Sequence, residues 1–193
     1  MHLIIFGPEG SGKGTQAQLL SKKLNLPIYT SGDLVRQAAS NDKGTLGDSC
    51  RKALSTGTYV PDQIMYALWE LHLQTSEAKK GFILDGFPRN VAQAQYLVDK
   101  LKEYGYGLDK VIFLNLTDKE AANRLKLRKR AMYEGAKGSH DTPALIAKRL
   151  ATFRALEKPL LTYFSQKGLL LTIDADQKVE KVFSDIEKGL QTL

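Results

Sequence analysis

One stretch near the start of this chain narrows its possible folds more than any other: Gly7-Pro8-Glu9-Gly10-Ser11-Gly12-Lys13-Gly14-Thr15. It follows an apolar run at residues 3–6 and leads straight into a helical pattern. A loop that wraps its N–H groups around phosphates needs glycines, because a Cβ blocks close approach and some positions take φ > 0. The helix that follows aims its N-terminal N–H groups and positive dipole end at the anion. Lys13 adds a mobile positive charge for the outer phosphates. Strand, glycine-rich loop, lysine and helix in that order predict a polyphosphate cradle rather than a plain turn.

The remaining pattern agrees with that start. Short apolar runs at residues 3–6, 28–30, 82–85, 111–116 and 169–173 alternate with longer helical stretches. Strands that are apolar throughout are buried on both faces, so the expected architecture is a parallel sheet flanked by helices. Ile64, Leu68 and Leu71 form one helical stripe, Val91, Ala94, Val98 and Leu101 another, and Val179, Phe183, Ile186 and Leu190 a third. Pro61 and Pro143 stand where first-turn prolines belong, with Thr142 as an N-cap. Residues 30–60 and 127–141 break the alternation and read as insertions on the sheet. The first holds two short helical patterns split by Asn41-Asp42-Lys43-Gly44 and closed by Gly57.

Bulk properties exclude several classes. At 193 residues, 42% hydrophobic and 25% charged, the chain suits one globular domain with a real core. No apolar run nears the ~20 residues that span a bilayer, so no membrane partner is expected. A lone cysteine, Cys50, forms neither an internal disulfide nor a zinc site, which favours a cytoplasmic setting. The net charge of +7 suits polyanionic ligands in general. The basic run Lys126-Leu127-Arg128-Lys129-Arg130 invites nucleic acid, but a solvated helix face explains it equally, and none is expected as a partner.

Further residues make chemical sense as a second phosphate site. Arg36 and Arg89 each carry a planar fork able to grip a phosphate, and Phe87-Pro88 stiffens the approach to Arg89. Asp85 ends an apolar strand, and Asp33 lies in Thr30-Ser31-Gly32-Asp33; both suit a Mg²⁺ ion held through water. Gln93 offers a donor and an acceptor, the pair that an adenine edge requires.

Gly-Lys-Gly-Thr-Gln at residues 12–16, Thr30 to Arg36, and Gly81-Phe82-Ile83-Leu84-Asp85-Gly86-Phe87-Pro88-Arg89 with Gln93 resemble the nucleoside monophosphate kinases. Within them the likeness is to the adenylate kinases, and it runs across nearly the whole chain. The resemblance implies a P-loop three-layer α/β/α fold with a five-stranded parallel sheet. It also implies a small helical nucleoside-monophosphate segment at 30–60, a short lid at 127–141 without zinc, and Mg·ATP and AMP as substrates. By the same resemblance Gly10, Ser11, Gly12, Lys13, Gly14, Thr15, Arg124, Arg128 and Gln177 contact ATP. Ser31, Arg36, Thr58, Tyr59, Val60, Gly86, Phe87, Pro88, Arg89, Gln93 and Arg149 contact AMP. Lys13, Arg89, Arg128 and Arg149 form the catalytic set, and a monomer is the default expectation.

The chain departs from that family in places. Glu9 stands where proline is usual and is expected to change loop rigidity and place a negative charge near the mouth, weakening ATP binding somewhat. A lid arginine usual in the family is absent at Gly138, and Lys137, Arg130 or Lys129 are the candidates to replace it. Ser31 keeps the hydroxyl of the usual threonine, and Gln177 replaces a lysine. The competing readings are a UMP–CMP kinase, which carries Asn in place of Gln93, and a nucleotide-binding regulator without phosphotransfer.

Overall fold

In this computed structural model, residues 1–128 and 142–191 are described, the side chains of Leu71 and Arg128 excepted. The apolar runs become β1 (His2–Phe6), β2 (Ile28–Thr30), β3 (Phe82–Asp85), β4 (Lys110–Asn115) and β5 (Leu170–Asp174). All pair in parallel, in the order β2-β3-β1-β4-β5. Every residue of β1 is buried, as a central strand covered on both faces must be. Alternation then splits the core: Leu3 and Ile5 join one apolar cluster, Ile4 and Phe6 the other. Each leucine or isoleucine so buried stabilises the fold by roughly 1.5–3 kcal/mol.

On the Leu3 side lie α1 (Lys13–Leu24) and α9 (Val179–Leu190), through Leu20, Val182 and Ile186. The opposite layer contains α4 (Asp62–Leu73) and α6 (Val91–Glu103), through Trp69 and Leu97. The long α8 (Pro143–Gln166) serves both clusters, with Ile146 in the first and Phe164 in the second. The chain leaves β1, crosses to the outer β2, returns through β3, and passes β1 again to reach β4. Ligands in open parallel sheets bind at the carboxyl ends of strands where the order reverses, here β1 between β3 and β4.

Residues 31–57 form α2 (Ser31–Asn41) and α3 (Thr45–Thr56), closed by Gly57 in the left-handed region at φ 65°. The short α5 (Ser76–Lys80) and α7 (Asp118–Arg128) complete the described helices.

Three details differ from the sequence pattern. In α4 the innermost line is Met65, Trp69 and Leu73, and Ile64 and Leu68 flank it half-buried. The large Trp69 ring sets the rotation by packing on Phe87 at 5.3 Å between centroids. In α9 Val179 is 44% exposed, and Val182 takes its place inside. Pro61 is the N-cap of α4 rather than its first helical residue, whereas Pro143 does open α8 with Thr142 capping Leu145. Pro159 lies inside α8, where it removes one helical hydrogen bond.

His2 gives the fold a pH dependence. Its ring is buried, stacks on Tyr106 at 4.5 Å and has Nε2 2.9 Å from the Ala78 carbonyl. Burial holds its pKa below the ordinary 6.5, and outweighs the upward pull of Asp109, whose carboxylate is 3.8 Å from Nδ1. A neutral buried histidine stabilises the fold above pH 6.5, and that contribution is lost as pH falls through the lower folded value. Replacing His2 by Gln is therefore expected to flatten the acid-side fall in Tm. Thermal melts of the two proteins from about pH 7.5 down to about pH 5 check this.

Candidate active site

The carboxyl ends of β1, β2 and β3 open into a cleft of ≈ 690 Å³, within the size range of small-molecule sites. The loop after β1 forms its floor. Gly7 and Gly10 have φ of 152° and 88°. A Cβ on Gly10 would stand 2.7 Å from the Ala121 carbonyl oxygen, and one on Gly7 2.6 Å from that of Leu114. These positions therefore admit only glycine without backbone movement. α1 starts at Lys13 with no side-chain cap and no acidic residue in its own first turn, and its positive end is turned to the loop that lines the cleft. Lys13 Nζ donates to the carbonyls of Gly7 and Pro8, both at 2.8 Å, folding the ammonium over the loop. Ser11 is 3% exposed, and its Oγ has no hydrogen-bond partner among the described residues.

Glu9 does not leave a bare negative charge at the mouth. Its carboxylate pairs with the Arg149 guanidinium, which is 3% exposed and also donates through Nε to the Leu145 carbonyl at 3.2 Å. The expected charge near the mouth is thus compensated from α8.

Across the cleft, Arg89 follows a cis Phe87–Pro88 peptide. Its Nε donates to the Gly86 carbonyl at 2.8 Å, and its guanidinium lies over the Tyr59 ring at 4.0 Å. Burial pushes the Tyr59 phenol up, against the opposing pull of Arg89. Ser31 Oγ donates to the same Gly86 carbonyl at 2.7 Å, tying α2 to the end of β3. Arg36 pairs with Asp33, whose N–H is capped by Thr30 Oγ at 3.2 Å. Thr30 and Asp85 are register partners, so Asp85 at the end of β3 stands beside the start of α2, whose first turn carries Asp33. A carboxylate oxygen of Asp85 lies 3.9 Å from where a Cβ of Gly14 would be.

Most of the residues singled out from sequence line this one cleft: Gly10, Gly12, Lys13, Gly14 and Thr15 from the loop, Ser31, Asp33 and Arg36 from α2, and Thr58, Tyr59 and Val60 beyond α3. Asp85, Gly86, Phe87, Arg89, Gln93, Arg124 and Arg149 complete it. Arg124 is held by Glu120 at 2.8 Å and the Ala175 carbonyl at 3.2 Å. Ser11 and Pro88 lie behind the lining. The side chain of Gln177 is turned back to the Asp174 carbonyl at 2.9 Å instead of entering the cleft. Arg128 ends α7, but its side chain lies outside the described residues, as do residues 129–141 of the lid expected at 127–141, with Lys129, Arg130, Lys137 and Gly138.

Sequence reasoning missed Asp62. Placed at the start of α4, it reads as an ordinary first-turn acid, yet its carboxylate accepts from Gln93 Nε2 at 2.7 Å and from Asn90 Nδ2 at 3.0 and 3.1 Å.

Comparison with known proteins agrees with this geometry. Residues 5–169 match the sequence model of the adenylate kinase family. The chain is 39% identical over 188 residues to adenylate kinase 1 of Nostoc sp., covering 97% of each chain. It is also 39% identical to adenylate kinases of Nitrobacter hamburgensis, covering 99% of this chain and 92% of the relative, and of Thermobifida fusca, covering 94% of each.

Proposed function

The chain belongs to the adenylate kinase family of phosphotransferases, and we propose that its cleft seats ATP and AMP together, with their phosphates meeting between Lys13, Arg89 and Arg149. One observation carries this reading: a glycine-rich loop at a helix N-terminus and a separate arginine-bearing half share a single cavity. A pure ATP binder has no need of the second half. A UMP–CMP preference is not favoured, since the relatives are adenylate kinases, and Gln93, which we read as the group that meets the base, lines the cleft.

AMP's phosphate is already an anionic nucleophile, so the transfer requires no general base. The work of the protein is alignment and charge neutralisation. Lys13 swings from the Gly7 and Pro8 carbonyls onto ATP phosphates. Arg89, braced by Gly86 and the Tyr59 face, orients the AMP phosphate, and Arg36 leaves Asp33 to assist it. Arg149 exchanges the Glu9 carboxylate for the phosphoryl group in transit. Asp33 from the first turn of α2 and Asp85 from the end of β3 both line the cleft, and their carboxylates suit Mg²⁺ held through its own water. When bound, that ion neutralises charge on the β and γ phosphates. Residues 30–60 close over the nucleotides and help expel the water that competes with AMP, while most of the expected lid at 127–141 lies outside the described residues.

Calorimetric titration of AMP into protein saturated with a non-hydrolysable ATP analogue tests simultaneous occupancy. One further nucleotide is expected to bind. Displacement of the analogue by AMP would contradict the reading.

A further inference from the structure

We infer that Asp62 is a positioning residue for acceptor choice: it fixes which way round the Gln93 amide faces the AMP base. The inference rests on the reading of Gln93 as the group that meets that base.

Gln93 is 2% exposed, and both ends of its amide are committed. Its Oε1 accepts from the Arg89 backbone N–H at 2.8 Å, and its Nε2 donates to Asp62 at 2.7 Å. Asn90 closes the ring. Its Oδ1 accepts from the Gln93 N–H at 2.8 Å, while its Nδ2 donates to both carboxylate oxygens of Asp62. An ionised carboxylate only accepts, so only the NH₂ end of Gln93 can face it. Flipping the amide would set oxygen against carboxylate and NH₂ against an N–H, with both clashes buried.

A primary amide has two donors and two lone pairs, and the ring uses one of each. One N–H and one lone pair remain, in fixed positions, for a base in the cleft. Adenine presents an acceptor at N1 beside a donor at N6. Hypoxanthine has nearly the same shape with the order reversed, a donor at N1 beside an acceptor at O6. The orientation imposed by Asp62 therefore separates two acceptors that shape alone would barely distinguish. Asp62 is not among the residues that line the cleft, so it acts through Gln93.

Substituting Asp62→Asn keeps the shape but removes one of the two constraints on the amide, since an asparagine amide can offer either end to Gln93 while the Arg89 N–H still favours the wild-type orientation. The test is steady-state transfer from Mg·ATP to AMP and to IMP in the wild type, Asp62→Asn and Gln93→Ala. For Asp62→Asn the AMP-over-IMP ratio of kcat/KM is expected to fall about tenfold, as one charge-assisted hydrogen bond warrants. The loss should appear in KM for AMP, with kcat and KM for ATP within about twofold of wild type. A merely structural role would lower transfer to both acceptors alike and leave the ratio unchanged, which would overturn the inference. Gln93→Ala separates the layers. If it leaves the ratio intact, the reading of Gln93 fails. If it collapses the ratio while Asp62→Asn does not, the role of Asp62 alone fails. Should Asp62→Asn fold poorly, the ¹⁵N spectrum of the nucleotide-free wild type decides. A Gln93 side-chain NH₂ with one proton shifted downfield by the carboxylate supports the inference, and an averaged, exposed pair contradicts it.

Discussion

Replacing Lys13 by methionine is expected to lower kcat/KM for ATP by about 10²–10³-fold while leaving the fold intact. The length of the side chain is kept and its charge is removed. The ammonium rests on the Gly7 and Pro8 carbonyls at 2.8 Å, so it lies over the loop without being part of the core. Methionine removes two hydrogen bonds to loop carbonyls but no apolar packing. The Tm should therefore move by only a few degrees. The large effect comes from the loss of a preorganised charge where negative charge accumulates, in a site that gains strength as water leaves. Steady-state rates with ATP varied at saturating AMP, together with a thermal melt, check both halves. A variant that kept wild-type kcat/KM would remove Lys13 from the transfer step.

The second large effect concerns Arg149 and Glu9. Arg149→Met is expected to lower kcat by about 10³-fold, as loss of a fork aimed at a transferring phosphoryl group does. It should also destabilise the protein, because Glu9 then loses the Arg149 guanidinium. Removing one member of a buried ion pair costs ~3–5 kcal/mol. Here the cost falls below that range, because the Glu9 side chain is 26% exposed and can reach water. Glu9→Gln acts in the other direction on binding. It weakens the contact that ATP phosphates must displace from Arg149, so ATP should bind more tightly while the ligand-free Tm falls. Melts and ATP titrations of the two single variants and the double variant give the coupling. Independent, additive effects would show that the pair does not hold Arg149 in reserve.

The parts legible in the sequence were those written in local pattern. Five apolar runs bounded by helical stretches became five parallel strands, with ends displaced by a residue at most. The loop was legible because glycine and lysine spacing reports directly on backbone shape and charge. The buried faces of α4 and α9 were less so: the stripe rule weighs all apolar residues alike, whereas the bulk of Trp69 and the depth of Val182 decided the rotation. Pro159 gave no warning of lying inside a helix, since the flanking turns of α8 carry it. The contacts that organise the cleft were illegible for another reason. Glu9 and Arg149 are 140 positions apart, and Asp62 and Gln93 are 31 apart. Gln93 and Arg149 read as candidate ligand contacts and Glu9 as a charge near the mouth, but nothing local names their partners, and only the folded sheet brings the pairs together.

The central claim is that this cleft transfers phosphate from ATP to AMP in preference to other monophosphates. A coupled assay of ADP formation with Mg·ATP and AMP, UMP, CMP or GMP supplied separately tests it most directly. The predicted result is rapid transfer to AMP, with kcat/KM at least about tenfold above that for any other acceptor. Preference for UMP or CMP, or no transfer to any acceptor, would contradict it.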